Sequence, residues 1–394
     1  MTVFGTRPEA IKFAPVIRAM SRTPELEVIN IVTSQHTELL RPLIDLFEIN
    51  VSADLDVMRH DQPLNGVLSR IIDRLDAELV RWVPDVVLVQ GDTTSALAGA
   101  LAAWNRQIAV GHIEAGLRSG NRNSPFPEEM NRRLVSQVAS LHLAATSANR
   151  KNLLDDGIAN HRIAVTGNPV VDALKLISTK AQIAPSTTDL MMRFGGRKPI
   201  VMTSHRRENF GDKMLGYFDV LKQFVSQSDQ YVLVFPVHPN PAVRNVAEEA
   251  FGSARNVELI DPLKYSDFIH LLSRAWLVVS DSGGIQEEAP SLQKALLVLR
   301  ENTERPEGVE AGVARLVQSP ADLLRELNEA SRPGSWIEGV KASSNPFGDG
   351  NASRRIAGHL TSFLKDMHQP DAEIVQNQND KRKMTFETPK HPPV

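Results

Sequence analysis

Short apolar runs rich in Val, Leu and Ile alternate with amphipathic stretches along most of the chain, the pattern of parallel strands buried on both faces and joined by helices. In the first half the runs are TVF, VINIVTS, DVVLVQG, IAVGHIE, LHLAAT and RIAVTG. Between the second and third, GVLSRIIDRLDAELVRW sets Val67, Leu68, Ile71, Ile72, Leu75 and Leu79 on one helical face, as a helix covering a sheet requires. The pattern restarts after Asn168-Pro169 and the polar stretch AQIAPSTTD, with IVMTS, YVLVFPV, NVELID, WLVVS and ALLVLR each followed by a loop or helix. These runs predict an α/β protein of two Rossmann-like, doubly wound domains facing a cleft. The first domain is expected at residues 1–167 and the second at 168–350. A Gly/Asn/Ser-rich connection, SSNPFGDGNAS, leads into a last helix at 351–367, and residues 368–394 read as a polar, disordered tail.

Open parallel sheets take ligands beyond the carboxyl ends of their strands, and the unusual polar clusters of this chain fall there. In VFGTRPEAIK, Thr6 and Glu9 stand at capping-box spacing, so a helix is expected to begin at Thr6 with backbone N–H groups facing the cleft. Arg7 and Lys12 add full positive charge beside them. Taken alone, the stretch fits equally well a capped helix with solvated cations and a site for an anion such as a diphosphate. WLVVSDSGGIQEEAPS favours the anion: a strand ends at Asp281-Ser282-Gly283-Gly284, where two glycines let backbone N–H groups approach a phosphate closely. A carboxylate one turn into the following helix, at Glu287 or Glu288, can accept both hydroxyls of a ribose. A plain turn before a capped helix is the alternative, and it leaves the crowding of polar groups unexplained.

Acid and base candidates lie on three successive loops of the first domain. VLVQGDTTS ends at Asp92, VGHIEAGLRSG at Glu114, and NSPFPEEMNRR offers Glu128 and Glu129. Carboxylates gathered in a closed cleft raise one another's pKa, so that one donates a proton while another accepts. Singly, Asp92 also fits a helix cap, and Glu129 fits a solvated position or a salt bridge to Arg132 or Arg133. In the second domain IVMTSHRREN brings His205, Arg206 and Arg207 to a strand end, where His205 is suited to protonating or hydrogen-bonding a leaving phosphate or to local capping. His238, in PVHPNP, and Arg305, in ENTERPEGVEAG, are further candidates.

Composition narrows the chemistry. The 44 Lys and Arg nearly balance the 47 Asp and Glu among 394 residues, for a net charge of −3, which speaks against a nucleic-acid partner. There is no cysteine, which excludes disulfides, thiolate metal sites and cysteine nucleophiles. No apolar run approaches the roughly 20 residues of a membrane span, and the expected location is the cytoplasm with no membrane partner. Neither GxGxxG after the first strand nor GxxxxGK[ST] is present, so dinucleotide redox and P-loop hydrolysis lose their usual signatures. A nucleotide serving as handle or leaving group remains, and neither a cofactor nor a catalytic metal is expected.

Together FGTRPEAIK, QGDTTSALA, GHIEAGLRSG, SPFPEEMNR, TGNPVVDAL, SHRREN, DSGGIQEEAPSL and NTERPEGVEAG resemble the non-hydrolysing UDP-N-acetylglucosamine 2-epimerase family, in the family's order from Met1 to about residue 366. The resemblance implies a GT-B arrangement of the two domains, the last helix crossing back onto the first domain, and a homodimer. It implies interconversion of UDP-GlcNAc and UDP-ManNAc, by elimination of UDP to 2-acetamidoglucal and re-addition, supplying ManNAc for cell-surface polysaccharide. Matched motif by motif, Asp92, Glu114 and Glu128 take the acid/base positions and His205 contacts the diphosphate. Arg7 and Lys12 are active-site cations, Ser282, Gly283 and Gly284 the phosphate loop, Glu288 the ribose carboxylate, Arg305 a further substrate contact, and Phe268 a neighbour of the uracil.

Two departures accompany the resemblance. The family carries a few more residues before VFGTRPE, so the first strand is expected to be short. A second, activating UDP-GlcNAc site found in bacterial relatives would draw on Gln35, Arg207 and His238, but TSQHTELL places Glu38 where that pattern has Gln, and a carboxylate beside a diphosphate is unfavourable. The competing functions are a hydrolysing 2-epimerase, an epimerase for a modified UDP-sugar uronate and, from another class, a GT-B glycosyltransferase.

Overall fold

The computed structural model describes residues 1–35, 37–59, 62–180, 183–204, 206, 209–238, 240–252 and 254–368. Among them, seven parallel strands form a first sheet: β1 (Thr2–Phe4), β2 (Asn30–Val32), β3 (Ala53–Asp54), β4 (Val86–Gln90), β5 (Ala109–Ala115), β6 (Leu141–Ala144) and β7 (Ile163–Val165). Their order is β3-β2-β1-β4-β5-β6-β7. A second parallel sheet contains β8 (Lys198–Thr203), β9 (Tyr231–Pro236), β10 (Val257–Ile260), β11 (Leu277–Ser280), β12 (Leu296–Val298) and β13 (Ala314–Leu316), in the order β10-β9-β8-β11-β12-β13. Two Rossmann-like domains in the GT-B arrangement result.

The apolar runs became strands because helices cover both faces of each sheet: every residue of β1, β2, β4, β6, β11 and β12 is buried. Two strands do not follow the apolar pattern. β3 and β13 are short edge strands whose outer residues meet water, so Asp54 and Arg315 interrupt the run of apolar residues that marks a central strand. The helix Leu64–Trp82 buries Val67, Ile71, Leu75 and Leu79, while Leu68 and Ile72 at the margin of that face are half-buried.

Each sheet reverses its winding once, between β1 and β4 in the first domain and between β8 and β11 in the second. At such switch points the loops leave in opposite directions and open a crevice. GTRPE follows β1, GDTT follows β4, Ser204 and Arg206 follow β8 and DSGG follows β11, so four strand-end loops converge by topology alone.

The chain crosses between the domains twice. The first crossing leads into the helix Pro169–Lys180, which packs on the helix Arg7–Met20; the second leads into the last helix, Ala352–His368, which packs on both. Asp172 supplies the cap of that last helix, accepting hydrogen bonds from Ala352 N (3.2 Å), Ser353 N (2.9 Å) and Ser353 Oγ (2.6 Å). The expected tail, 368–394, lies outside the described residues beyond His368.

Candidate active site

A cleft of about 830 Å³ between the domains is lined by residues of both, among them Arg7, Lys12, Asp92, Glu114, Glu128, Phe268, Ser282, Gly283, Gly284, Glu288 and Arg305. The sequence motifs assign all of these to the site. His205 and Arg207 lie outside the described residues.

The helix Arg7–Met20 starts as its sequence predicts, with Thr6 as N-cap. Glu9 does more than cap. It is wholly buried, and its Oε2 accepts hydrogen bonds from Gly5 N (3.0 Å), Thr6 N (2.8 Å) and Thr6 Oγ1 (2.8 Å), while Oε1 accepts from Thr93 Oγ1 (2.6 Å). Thr93 itself caps the helix Thr94–Asn105, so one carboxylate ties the loop after β1 to the loop carrying Asp92. Arg7 projects to the exposed mouth of the cleft and forms no ion pair among the described residues.

Lys12 is buried. Its Nζ donates to Glu114 Oε1 and lies 2.9 Å from Glu287 Oε2, joining the two domains. Burial works against the lysine charge, but Glu114 and Glu287 outweigh it and hold the ammonium above its usual pKa. Arg305 donates from Nε to Glu287 Oε1 (2.6 Å) and from Nη1 to Glu304 Oε1, and Arg300 pairs with Glu304 at 2.8 Å. Burial opposes ionisation of Glu287, yet Arg305 and Lys12 keep it down to about 2.

Glu114 differs. It sits at a bulge in β5 with φ of 63°, which turns its carboxylate into the cleft. Gln90 donates to its Oε2, and Asn168 Nδ2 donates to Oε1 at 3.2 Å. Burial dominates nonetheless and, with the neighbouring charge of Glu287 added, pushes Glu114 up to about 7. A carboxylic acid in that range gives and takes a proton near neutral pH.

Beside Glu114, on the loops of the same domain, Arg132 donates to Asp92 Oδ2 from Nε (3.1 Å) and Nη2, and from Nη1 to Glu129 Oε2 (2.7 Å). Glu129 is fully buried and also accepts from Arg133 and Ser119 N, so the solvated position considered for it is corrected to the salt-bridged one. Glu128, the first residue of the helix Glu128–Val138, stays half-buried on the cleft with its pKa raised, chiefly by burial. Glu288 accepts from Tyr265 Oη at 2.8 Å, and Asp281 Oδ2 accepts from Ser204 Oγ, Arg206 N and Asn209 Nδ2, which clips the loop after β8 to the loop after β11. Of the residues considered for a second site, Gln35 accepts from Ser95 Oγ (2.9 Å) on the rim of this same cleft, and His238 is exposed with its Nδ1 accepting from Asn240 N.

Gln90, Asn168 and the cross-domain role of Glu287 were not read from the sequence. Gln90 and Asn168 carry a signal in hindsight, since each is the last polar residue before a Gly-Asp or Pro break at a strand's carboxyl end. Glu287 and Glu288 are adjacent, and the 100° turn between successive helical residues sends one to Lys12 and the other to Tyr265.

The chain as a whole has close relatives. A family profile described as UDP-N-acetylglucosamine 2-epimerase matches residues 18–361. The UDP-N-acetylglucosamine 2-epimerase of Bacillus subtilis is 43% identical over 377 residues, which span 94% of this chain and 97% of that one. Among solved structures, the UDP-GlcNAc 2-epimerase of Neisseria meningitidis bound to UDP-GlcNAc superposes with a TM-score of 0.86 at 41% identity, covering 92% of this chain and 99% of its own. The S. aureus MnaA–UDP co-structure gives 0.87 at 42% identity, over 93% and 96%. With its motifs, its two switch points and these relatives in agreement over nearly the whole length, the chain belongs to the UDP-N-acetylglucosamine 2-epimerase family.

Proposed function

We propose that this protein interconverts UDP-GlcNAc and UDP-ManNAc without releasing free sugar, with Asp92, Glu114 and Glu128 as its acids and bases. The observation that carries the proposal is the setting of Glu114: a buried carboxyl at the carboxyl end of β5, sharing the ammonium of Lys12 with Glu287 of the other domain, where burial and the charge of Glu287 raise its pKa above the usual carboxylate range. Glu114, Glu287 and Glu304 face Lys12, Arg305 and Arg300, so the cluster is balanced before substrate arrives. A diphosphate entering it adds negative charge, and protonation of Glu114 releases Lys12 to meet that charge.

The hydrogen on carbon 2 of the sugar is weakly acidic, and direct deprotonation faces too high a barrier. Departure of UDP from carbon 1 gives that carbon oxocarbenium character and acidifies its neighbour. The carbon 1–oxygen bond breaks with its electron pair going to UDP, the carbon 2–hydrogen bond breaks with the proton going to a carboxylate, and a double bond joins the two carbons. Proton delivery to the opposite face of carbon 2 and return of UDP to carbon 1 complete the epimerisation; acid and base exchange roles between directions. Arg7, Lys12 and Arg305, the N–H groups of Ser282, Gly283 and Gly284, and His205 are assigned to the diphosphate, Glu288 to the ribose and Phe268 to the uracil. Apart from His205, which lies outside the described residues, the convergence of these groups on one cleft supports the assignment. The protein is further proposed to act as a homodimer in the cytoplasm.

Incubation with UDP-GlcNAc and separation of products by anion-exchange chromatography tests the non-hydrolysing step. UDP-ManNAc without free ManNAc is the expected result. Accumulating free ManNAc and UDP would favour the hydrolysing reaction, and product formed only with an added sugar acceptor would favour a glycosyltransferase.

A further inference from the structure

We propose that Asn168 is a positioning residue that transmits the relative setting of the two domains to Glu114. The two chain crossings lie side by side here. Asn168 N donates to Phe347 O at 2.8 Å, tying the first crossing to the second. The residues beside them are glycines with φ of 89° at Gly167 and 131° at Gly348, and a Cβ at Gly348 would stand 3.3 Å from Gly167 Cα. Loop residues at the crossings between two domains, with torsions that glycine adopts readily, are the positions suited to absorbing a change in domain setting.

The Asn168 side chain turns that pivot toward the chemistry. Its Oδ1 accepts from Val170 N at 3.0 Å, which leaves Nδ2 as the group facing Glu114 Oε1 at 3.2 Å. The residue is buried, so rotation of the crossing carries the amide away from the carboxylate rather than letting it follow through solvent. The other groups around Glu114 divide between the domains: Lys12 and Gln90 come from the first, Glu287 and Arg305 from the second. Asn168 alone among these contacts belongs to the crossing.

A donor to the ionised carboxylate favours that form, so its loss raises the pKa of Glu114 further. The proposal rests on Glu114 exchanging the carbon 2 proton. Its test uses Asn168→Asp, which keeps the acceptor for Val170 N but replaces the donor with a negatively charged oxygen, with Asn168→Ala alongside to remove the donor without adding charge. Turnover is measured across pH, and UDP affinity by calorimetry. We expect UDP affinity within about twofold of the parent protein, turnover at pH 7 lowered about 10-fold, and a loss that shrinks as pH rises, because the ionising limb has moved upward; Asn168→Asp shifts it more, by adding a like charge. A limb that stays in place in both variants overturns the proposal, however far turnover falls, as does a loss of UDP affinity matching the loss of turnover. A parent protein without epimerase activity would instead sink the functional reading beneath it.

Discussion

Lys12 Nζ of the first domain lies 2.9 Å from Glu287 Oε2 of the second, in a position where both side chains are almost wholly shielded from water. The same ammonium holds Glu114, so a single cation joins the acid/base wall to the wall facing the phosphate loop. Exposed ion pairs contribute little, whereas removing one partner of a buried pair leaves an uncompensated charge.

Replacing this cation therefore acts on stability as well as chemistry. Lys12→Met is expected to destabilise the protein by about 3–5 kcal/mol, because it leaves the buried carboxylate of Glu114 without its ion-pair partner and takes from Glu287 one of its two cations, Arg305 being the other. Thermal unfolding with and without UDP checks this: the variant should melt several degrees lower, and UDP should recover less of the difference than in the parent.

The three cleft carboxylates make a second prediction. Asp92→Asn, Glu114→Gln and Glu128→Gln should each lower turnover by roughly 10²-fold or more, the scale of a positioned acid or base. UDP affinity, measured separately, should change far less. Near-normal turnover in all three variants would remove them from the mechanism.

Glu114 also sets a pH dependence. Burial, reinforced by the charge of Glu287, lifts its pKa to about 7, so its ionised form accumulates as pH rises through that region. Turnover that needs the ionised form climbs with pH there, with an apparent value belonging to the Glu114 and Glu287 pair. Glu287→Gln removes the repulsion and leaves Lys12 to Glu114, so the limb should move to lower pH; a pH–rate profile showing it unmoved or raised would contradict the pairing.

The phosphate loop can be tested by volume alone. A Cβ at Gly283 would approach Arg305 Nη1 to 3.0 Å and Glu304 Oε1 to 3.3 Å. Gly283→Val is expected to displace the Arg305 guanidinium from Glu287 and Glu304, weakening UDP binding about 10-fold or more by isothermal titration and lowering the melting temperature as well, since both carboxylates are buried.

Much of this site is legible in the amino-acid sequence, for a topological reason. Asp92, Glu114 and Ser282 stand at the carboxyl ends of apolar runs, and an alternating α/β pattern sends such ends to one edge of a sheet. Thr6 and Glu9 are readable because a capping box is local in sequence. What stays hidden depends on contacts between distant residues. Asn168 reads as a break before proline, and only the return of the chain at Phe347 shows it to be a crossing. The choice between Glu287 and Glu288 is one of helical azimuth relative to Lys12 in the other domain, and the bulge that aims Glu114 leaves no mark on an apolar run. The edge strands β3 and β13 are missed because water on one side removes the continuous apolar signature.

The central claim is that the carbon 2 proton leaves and returns while UDP is detached. Incubating the protein with UDP-GlcNAc in deuterated water and following carbon 2 by NMR tests it most directly. The account predicts UDP-ManNAc carrying deuterium at carbon 2, with label also entering the UDP-GlcNAc pool as the reaction reverses. Epimer formed with its original hydrogen retained at carbon 2 would contradict it.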